Sequence, residues 1–275
     1  MIPIGDSPKS RTTPWVTYLV IALNLAVFVW MLQLDNQQPA SRSQAAREFR
    51  DQTNAECYGF ETLPTAADRF VCRWSVQPKE FVDNLRGQSD VPRPDRPLIL
   101  ISIITALFLH GGWLHIIGNM LFLWVFGDNV EDRLGHFGYL LFYIAAGIVA
   151  SLVQVGVDPE SVTPVIGASG AVAGVLGAYL VLYPRATVRA IIPFFFLIFI
   201  PLPIPAWVMI GLWFFQNLVS GYATIADAAN PDAGVAWFAH IGGFLFGAIL
   251  VWLFVREREH PIGPLRDELP RSHRP

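Results

Sequence analysis

The sequence predicts an all-α polytopic membrane protein with six transmembrane helices and a long first extracytoplasmic loop. Three observations carry this. The chain is 53% hydrophobic and only 15% charged, where soluble domains carry about 25% charge. Its mean hydropathy is +0.43, and several apolar runs approach or exceed the roughly 18 residues that cross a bilayer as a helix. Those runs are also too long for the strands of a membrane barrel. The net charge is −3 and the basic residues do not cluster, which argues against a nucleic-acid partner. The first apolar run is too long for a cleavable signal and no small-residue cleavage pattern follows it.

Residues 1–13 read as a short polar leader on the cytoplasmic side, with Lys9 and Arg11. Pro14 opens the first span, about 15–34, because proline suits a first helical turn. Trp15, Tyr18 and Trp30 fit the two interfacial belts, and Asn24 is expected to hydrogen-bond a neighbouring helix. Residues 35–97 form a polar segment with nine Lys/Arg and ten Asp/Glu, too long for a simple turn. Within it, 66–74 and 78–85 mix apolar and charged residues as helices lying on a membrane do. Cys57 and Cys72, the only cysteines, both fall here. They read either as a disulfide on an oxidising face or as two buried thiols.

Residues 97–109 are apolar but run into His110, Gly111, Gly112 and Trp113, a pattern for a re-entrant or interfacial piece. The second span follows at about 114–126, then a polar run to Gly135, and the third span at about 137–155. The fourth, about 167–183, is closed by Pro184 and Arg185. Residues 190–204 are intensely apolar, but Pro193, Pro201, Pro203 and Pro205 interrupt them. They are expected to lie at the membrane surface or dip into it. The fifth span is about 206–222, a small-residue loop covers 223–235, and the sixth span is about 236–255. The membrane domain is thus 14–255, and 256–275 is a cytoplasmic tail.

Six spans put both termini on one side. Lys9, Arg11, Arg133, Arg185, Arg189, Arg256 and Arg258 all fall on that side, whereas loops 156–166 and 223–235 carry no Lys or Arg. The positive-inside rule then places the termini in the cytoplasm, and in a bacterium the membrane would be the inner one. It also places Cys57 and Cys72 outside.

This topology brings polar residues of three spans to one depth near the outer face: His115 and Asn119 on the second, Ser169 on the fourth, His240 on the sixth. Gly167, Gly170, Gly174 and Gly177 recur at helical spacing, and His240 shares a face with Gly243 and Gly247. Two thin faces can dock closely and bring a serine hydroxyl to an imidazole, as a nucleophile and its base require. No carboxylate on the sixth span stands ready to orient the histidine, so a dyad is the natural reading. His115 and Asn119, at i and i+4, can donate to an oxyanion together with the Ser169 N–H. The rival is metal or proton handling by His110, His115 and His240, which has few carboxylates at that depth. His136 and His260 fall on the opposite side. Water must enter from outside, and the 223–235 loop with Phe215, Leu218, Val219 and Tyr222 at the outer end of the fifth span are the candidate gate.

The segments Gly167-Ala168-Ser169-Gly170, His115 to Asn119, Ala239 to Gly247 and Gly118 to Gly135 resemble the rhomboid family of intramembrane serine proteases. The similarity covers about 14–255. It implies a rhomboid-like helix bundle, a Ser169–His240 dyad, an oxyanion site at His115, Asn119 and the Ser169 N–H, and hydrolysis of transmembrane protein substrates. It also implies that Glu131 pairs with polar groups near the inner end of the second span. Arg73 and Trp74 stand in the reverse order to the family's Trp-Arg pair. No cofactor and no metal are implied, and the partners are transmembrane proteins and lipid. The alternatives are a catalytically silent relative that binds membrane helices as an adaptor or chaperone, and a transporter. A transporter would carry an internal repeat, and none is found.

Overall fold

The computed structural model describes residues 1–7, 9–35, 66–87, 99–194, 198–226 and 235–256. Its elements in chain order are strand β1 (Ile2–Ser7), helix α1 (Trp15–Asp35), two short helices α2 (Ala66–Trp74) and α3 (Pro78–Leu85), and α4 (Ile99–Thr105) running into a 3-10 turn at Ala106–Phe108. Then come α5 (Trp113–Leu134), α6 (His136–Val157), α7 (Ser169–Leu182), strands β2 (Thr187–Phe194) and β3 (Ile198–Pro205), α8 (Ala206–Ala226) and α9 (Trp237–Arg256). Apolar helices lie at the positions of the expected spans, but α7 and the apolar part of α9 are shorter than a membrane crossing requires. Three of them, α1, α6 and α8, are long and apolar enough to cross a membrane. The segment Ile99–Phe108 meets α5 at a bend of 84°, which matches the break expected at Gly111 and Gly112.

Helix α7 forms the centre. Every residue from Gly170 to Tyr179 is buried, so its uniformly apolar sequence has protein on all sides. Glycine makes this packing possible. A Cβ on Gly243 or Gly247 of α9 would overlap the carbonyl oxygen of Gly170 or Gly174, and one on Gly177 would overlap that of Phe244. On the α6 side, a Cβ on Gly170 or Gly174 would lie 2.5 Å from the Cβ of Ala150 or Ala146. The α7 backbone is therefore pressed between two helices, and any side chain at these positions would push them apart. Gly167 was expected on the same helical face. It lies instead in the turn before α7, with φ 111°, because the helix begins only at Ser169.

The polar leader and the proline-interrupted segment do not read from sequence as they fold. They form one antiparallel sheet of order β1-β2-β3. Val188 and Ala190 are buried while Thr187 and Arg189 are exposed, the period-two pattern of a one-faced strand. Proline is tolerated on an edge strand where its missing N–H points away from the ladder. Pro201, Pro203 and Pro205 take every second position of β3 and pair with Ile191, Arg189 and Thr187. Pro193 lies past the end of β1, which stops opposite Ile191.

Asp6 of β1 accepts hydrogen bonds from Tyr179 Oη and from Asn129 Nδ2, the latter at 2.9 Å. Burial pushes its carboxyl up to about 6, opposed by the Tyr179 hydroxyl and reinforced by the nearby Asp128 charge. A carboxyl raised in the folded state favours the protonated form there. The docking of β1 is therefore strongest near pH 4 and weakens as pH rises from 4 through 6. Thermal unfolding followed between pH 4.5 and 7.5 is expected to show this loss in the wild type. Asp6→Asn should lack that component, and an unchanged pH dependence in the variant would exclude Asp6 as its source.

Asn24 is fully buried. Its amide nitrogen donates to the Val20 carbonyl one turn back on its own helix at 2.8 Å, rather than to a neighbouring helix as expected. Glu131 is fully buried and engages the start of α1 and His136. Cys72 is buried and is not a free thiol, whereas Cys57 and His260 lie outside the described residues.

Candidate active site

Gly167 shapes the site. Its positive φ turns the chain into α7 in a conformation that favours glycine. A Cβ there would sit 2.7 Å from His115 Nε2 and 3.6 Å from Asn119 Nδ2. The turn thus packs directly on the i, i+4 pair of α5. Ser169 follows as the first residue of α7. The first α-helical backbone bond here runs from Val172 N to Ala168 O, at 2.9 Å, so the amides of Ser169, Gly170 and Ala171 are left without an intrahelical acceptor. They form the positive end of the helix dipole.

Ser169, His240, His115 and Asn119 line one cavity of about 850 Å³. That lies within the range of small-molecule sites, about 300–1,000 Å³. The close approach of α7 and α9 brings the first two there: a Cβ on Gly170 would lie 3.8 Å from the carbonyl of Ala239, the residue before His240. The cavity holds a hydroxyl, an imidazole and two side-chain donor groups with apolar walls from Phe122, Leu176 and Trp213. Such a set can activate an oxygen nucleophile and stabilise a developing negative oxygen.

Two further polar residues belong to the site. His110 entered the sequence reading only within the rival metal or proton cluster, and Asn217 did not enter it. His110 is 1% exposed, its Nε2 lies 3.0 Å from Asn119 Nδ2, and its ring meets His115 edge to face at 5.0 Å. An amide nitrogen only donates, so His110 Nε2 accepts. One Asn119 hydrogen is thereby engaged and the carboxamide plane fixed. Asn217 of α8 is 2% exposed and its Oδ1 lies 2.7 Å from His240 Nδ1. The available signal was a carboxamide in the middle of an apolar span, where polar groups are costly.

Of the fifth-span residues picked as a gate, Phe215, Leu218, Val219 and Tyr222 are all exposed. None of them is among the residues lining the cavity, to which α8 contributes Trp213. His136 donates from Nδ1 to Glu131 Oε1 at 2.6 Å, far along α5 from His115.

Residues 99–257 match the family model described as the Rhomboid domain. Among curated relatives, the chain is 32% identical over 211 residues to Rhomboid protein 1, mitochondrial, of Saccharomyces cerevisiae, covering 72% of this chain and 50% of that one. It is 32% identical over 158 residues to Rhomboid-like protein 11, chloroplastic, of Arabidopsis thaliana, covering 55% of this chain and 51% of that one. With Rhomboid protease GluP of Bacillus subtilis it shares 42% identity over 78 residues, 28% of this chain and 15% of that one. The chain spans about half the length of the first two relatives.

Proposed function

Because the chain belongs to the rhomboid family, we propose that it is an intramembrane serine endopeptidase whose nucleophile is Ser169 and whose base is His240. The observation that carries this reading is the cavity shared by Ser169, His240, His115 and Asn119. In the proposed reaction, His240 Nε2 takes the Ser169 proton as Oγ attacks a peptide carbonyl. The tetrahedral oxyanion is held by the Ser169 N–H, the second Asn119 Nδ2 hydrogen and His115. The imidazolium then protonates the leaving amine, and the acyl-enzyme remains on Oγ. Water deprotonated by His240 hydrolyses the ester and restores both groups. The carboxyl and amine products account for every atom of the peptide and the water.

In this reading the substrates are transmembrane proteins, cut near the outer face where a helix unwinds readily, and the membrane domain is 14–255. The termini lie in the cytoplasm and the site opens outward. A fluorophosphonate probe is the direct test. It should label Ser169 in the purified full chain and leave Ser169→Ala unlabelled. A wild type that neither labels nor cleaves a single-span substrate would favour the silent, helix-binding alternative.

Gly167→Ala is expected to cut turnover by tenfold or more. The new Cβ enters the His115 ring position, and a left-handed φ costs a non-glycine residue on the order of 1–2 kcal/mol. Steady-state cleavage beside thermal unfolding checks this. Full turnover in the variant would show that the turn does not set the His115 position.

A further inference from the structure

Building on the Ser169–His240 reading, we infer that Asn217 is a positioning residue: its side-chain carbonyl fixes His240 as the Nδ1–H tautomer and so leaves the Nε2 lone pair for the serine proton. The amide orientation follows from its second contact. Asn217 Nδ2 donates to the Trp213 carbonyl, one turn back on α8, at 2.7 Å. That contact needs the nitrogen, so the oxygen is the atom 2.7 Å from His240 Nδ1. A carbonyl oxygen only accepts, and the hydrogen must therefore sit on Nδ1. In a neutral imidazole the other nitrogen then carries the lone pair.

The ring is held from two directions by one helix. Asn217 meets its edge, and the Trp213 ring lies against it at a centroid distance of 6.0 Å and an angle of 33°. The Trp237 ring of α9 closes a third side, edge-on at 6.0 Å. Asn217 thus performs the orienting part of a triad's third member. Being neutral, it adds no charge to stabilise the imidazolium, so its loss should cost less than loss of a triad carboxylate. The contact also joins the base to α8. Most of α8 faces away from the rest of the protein. Any outward displacement of this helix would release the imidazole.

The test uses the full chain in detergent, with Asn217→Leu as a variant of similar shape. It is expected to lower kcat by about 10- to 100-fold, within the range general-base catalysis supplies, with KM within twofold. Fluorophosphonate labelling of Ser169 should slow by a similar factor, since a small probe needs no helix displaced. The imidazole nitrogen-15 spectrum of His240 supplies a readout that needs no variant. The wild type should show a protonated Nδ1, and Asn217→Leu a mixture of tautomers. A wild type that labels while Asn217→Leu labels equally fast, or a wild-type Nε2–H tautomer, overturns this inference and leaves the parent reading standing. Absence of Ser169 labelling in the wild type overturns both.

Discussion

Ser169→Ala is expected to reduce cleavage of a single-span substrate to background, and His240→Ala to do nearly the same. Each removes one half of a unit in which neither partner works alone. In a soluble serine protease, removing the nucleophile or the base costs about 10⁶ in kcat, and removing both costs little more. The double variant should therefore be no worse than either single one. Asn119→Ala should behave differently. It leaves nucleophile and base in place and removes one oxyanion donor, a loss of about 10²–10³ in kcat with little change in KM. Ser169→Ala should retain the wild-type unfolding temperature, whereas His240→Ala should lower it modestly, because it leaves the buried Asn217 carbonyl without its donor. Residual cleavage by Ser169→Ala at more than a hundredth of the wild-type rate would remove Ser169 from the chemistry. An undiminished rate in Asn119→Ala would remove Asn119 from the oxyanion site.

The helices were legible because long apolar runs have few alternatives. The contact of α7 with α9 was legible from glycines at helical spacing, since small residues on one face serve close approach. The same pattern misled at Gly167. Periodicity continued past the point where the helix begins, and only the backbone reveals that this glycine serves a turn with φ 111°. The sheet was hidden for a related reason. Proline marks a break in most sequence patterns, and its tolerance on an edge strand depends on which neighbour lies alongside. The proline-bearing β3 is an edge because β2 has β1 on its other side, nearly 190 positions away in the chain, as in the pairing of Ile2 with Ile191.

His110 was seen only as part of a rival cluster and Asn217 not at all, because each is defined by its contact with another side chain. A candidate nucleophile or base can be sought by chemical type, as Ser169 and His240 were. A residue that orients another is defined by a distance, such as the 3.0 Å from His110 to Asn119. Asn217 lies 23 positions from His240 on a different helix, beyond any local spacing rule.

Glu131→Ala should produce the largest loss of stability among single polar substitutions. The Glu131 carboxylate lies at the start of α1, where the first amides have no intrahelical acceptor. Oε1 accepts from Val16 N at 2.9 Å, and Oε2 accepts from Thr17 N at 2.8 Å and Thr17 Oγ1 at 2.7 Å. His136 Nδ1 adds a fourth bond, to Oε1 at 2.6 Å. One side chain of α5 thus caps α1 and ties in the first turn of α6. A bond to a charged group contributes about 1.5–3 kcal/mol, and a buried donor left without an acceptor costs about 1–3 kcal/mol. Glu131→Ala strips the acceptor from two backbone amides and one hydroxyl at once, so a drop of about 3–5 kcal/mol is expected. Glu131→Gln should fall between wild type and alanine, because its amide nitrogen faces donors where an acceptor is needed. Thr17→Val, which removes only the hydroxyl bond to the carboxylate, should cost about 1.5–3 kcal/mol, less than Glu131→Ala. Thermal unfolding in detergent reads all three. Cleavage measured well below the transition should remain near wild type, because Glu131 lies 16 residues along α5 from His115, about 24 Å at 1.5 Å per residue. If Glu131→Ala instead kept its unfolding temperature and lost turnover, the inner end of α5 would be acting on the site rather than holding α1, and the separation between anchor and chemistry would fail.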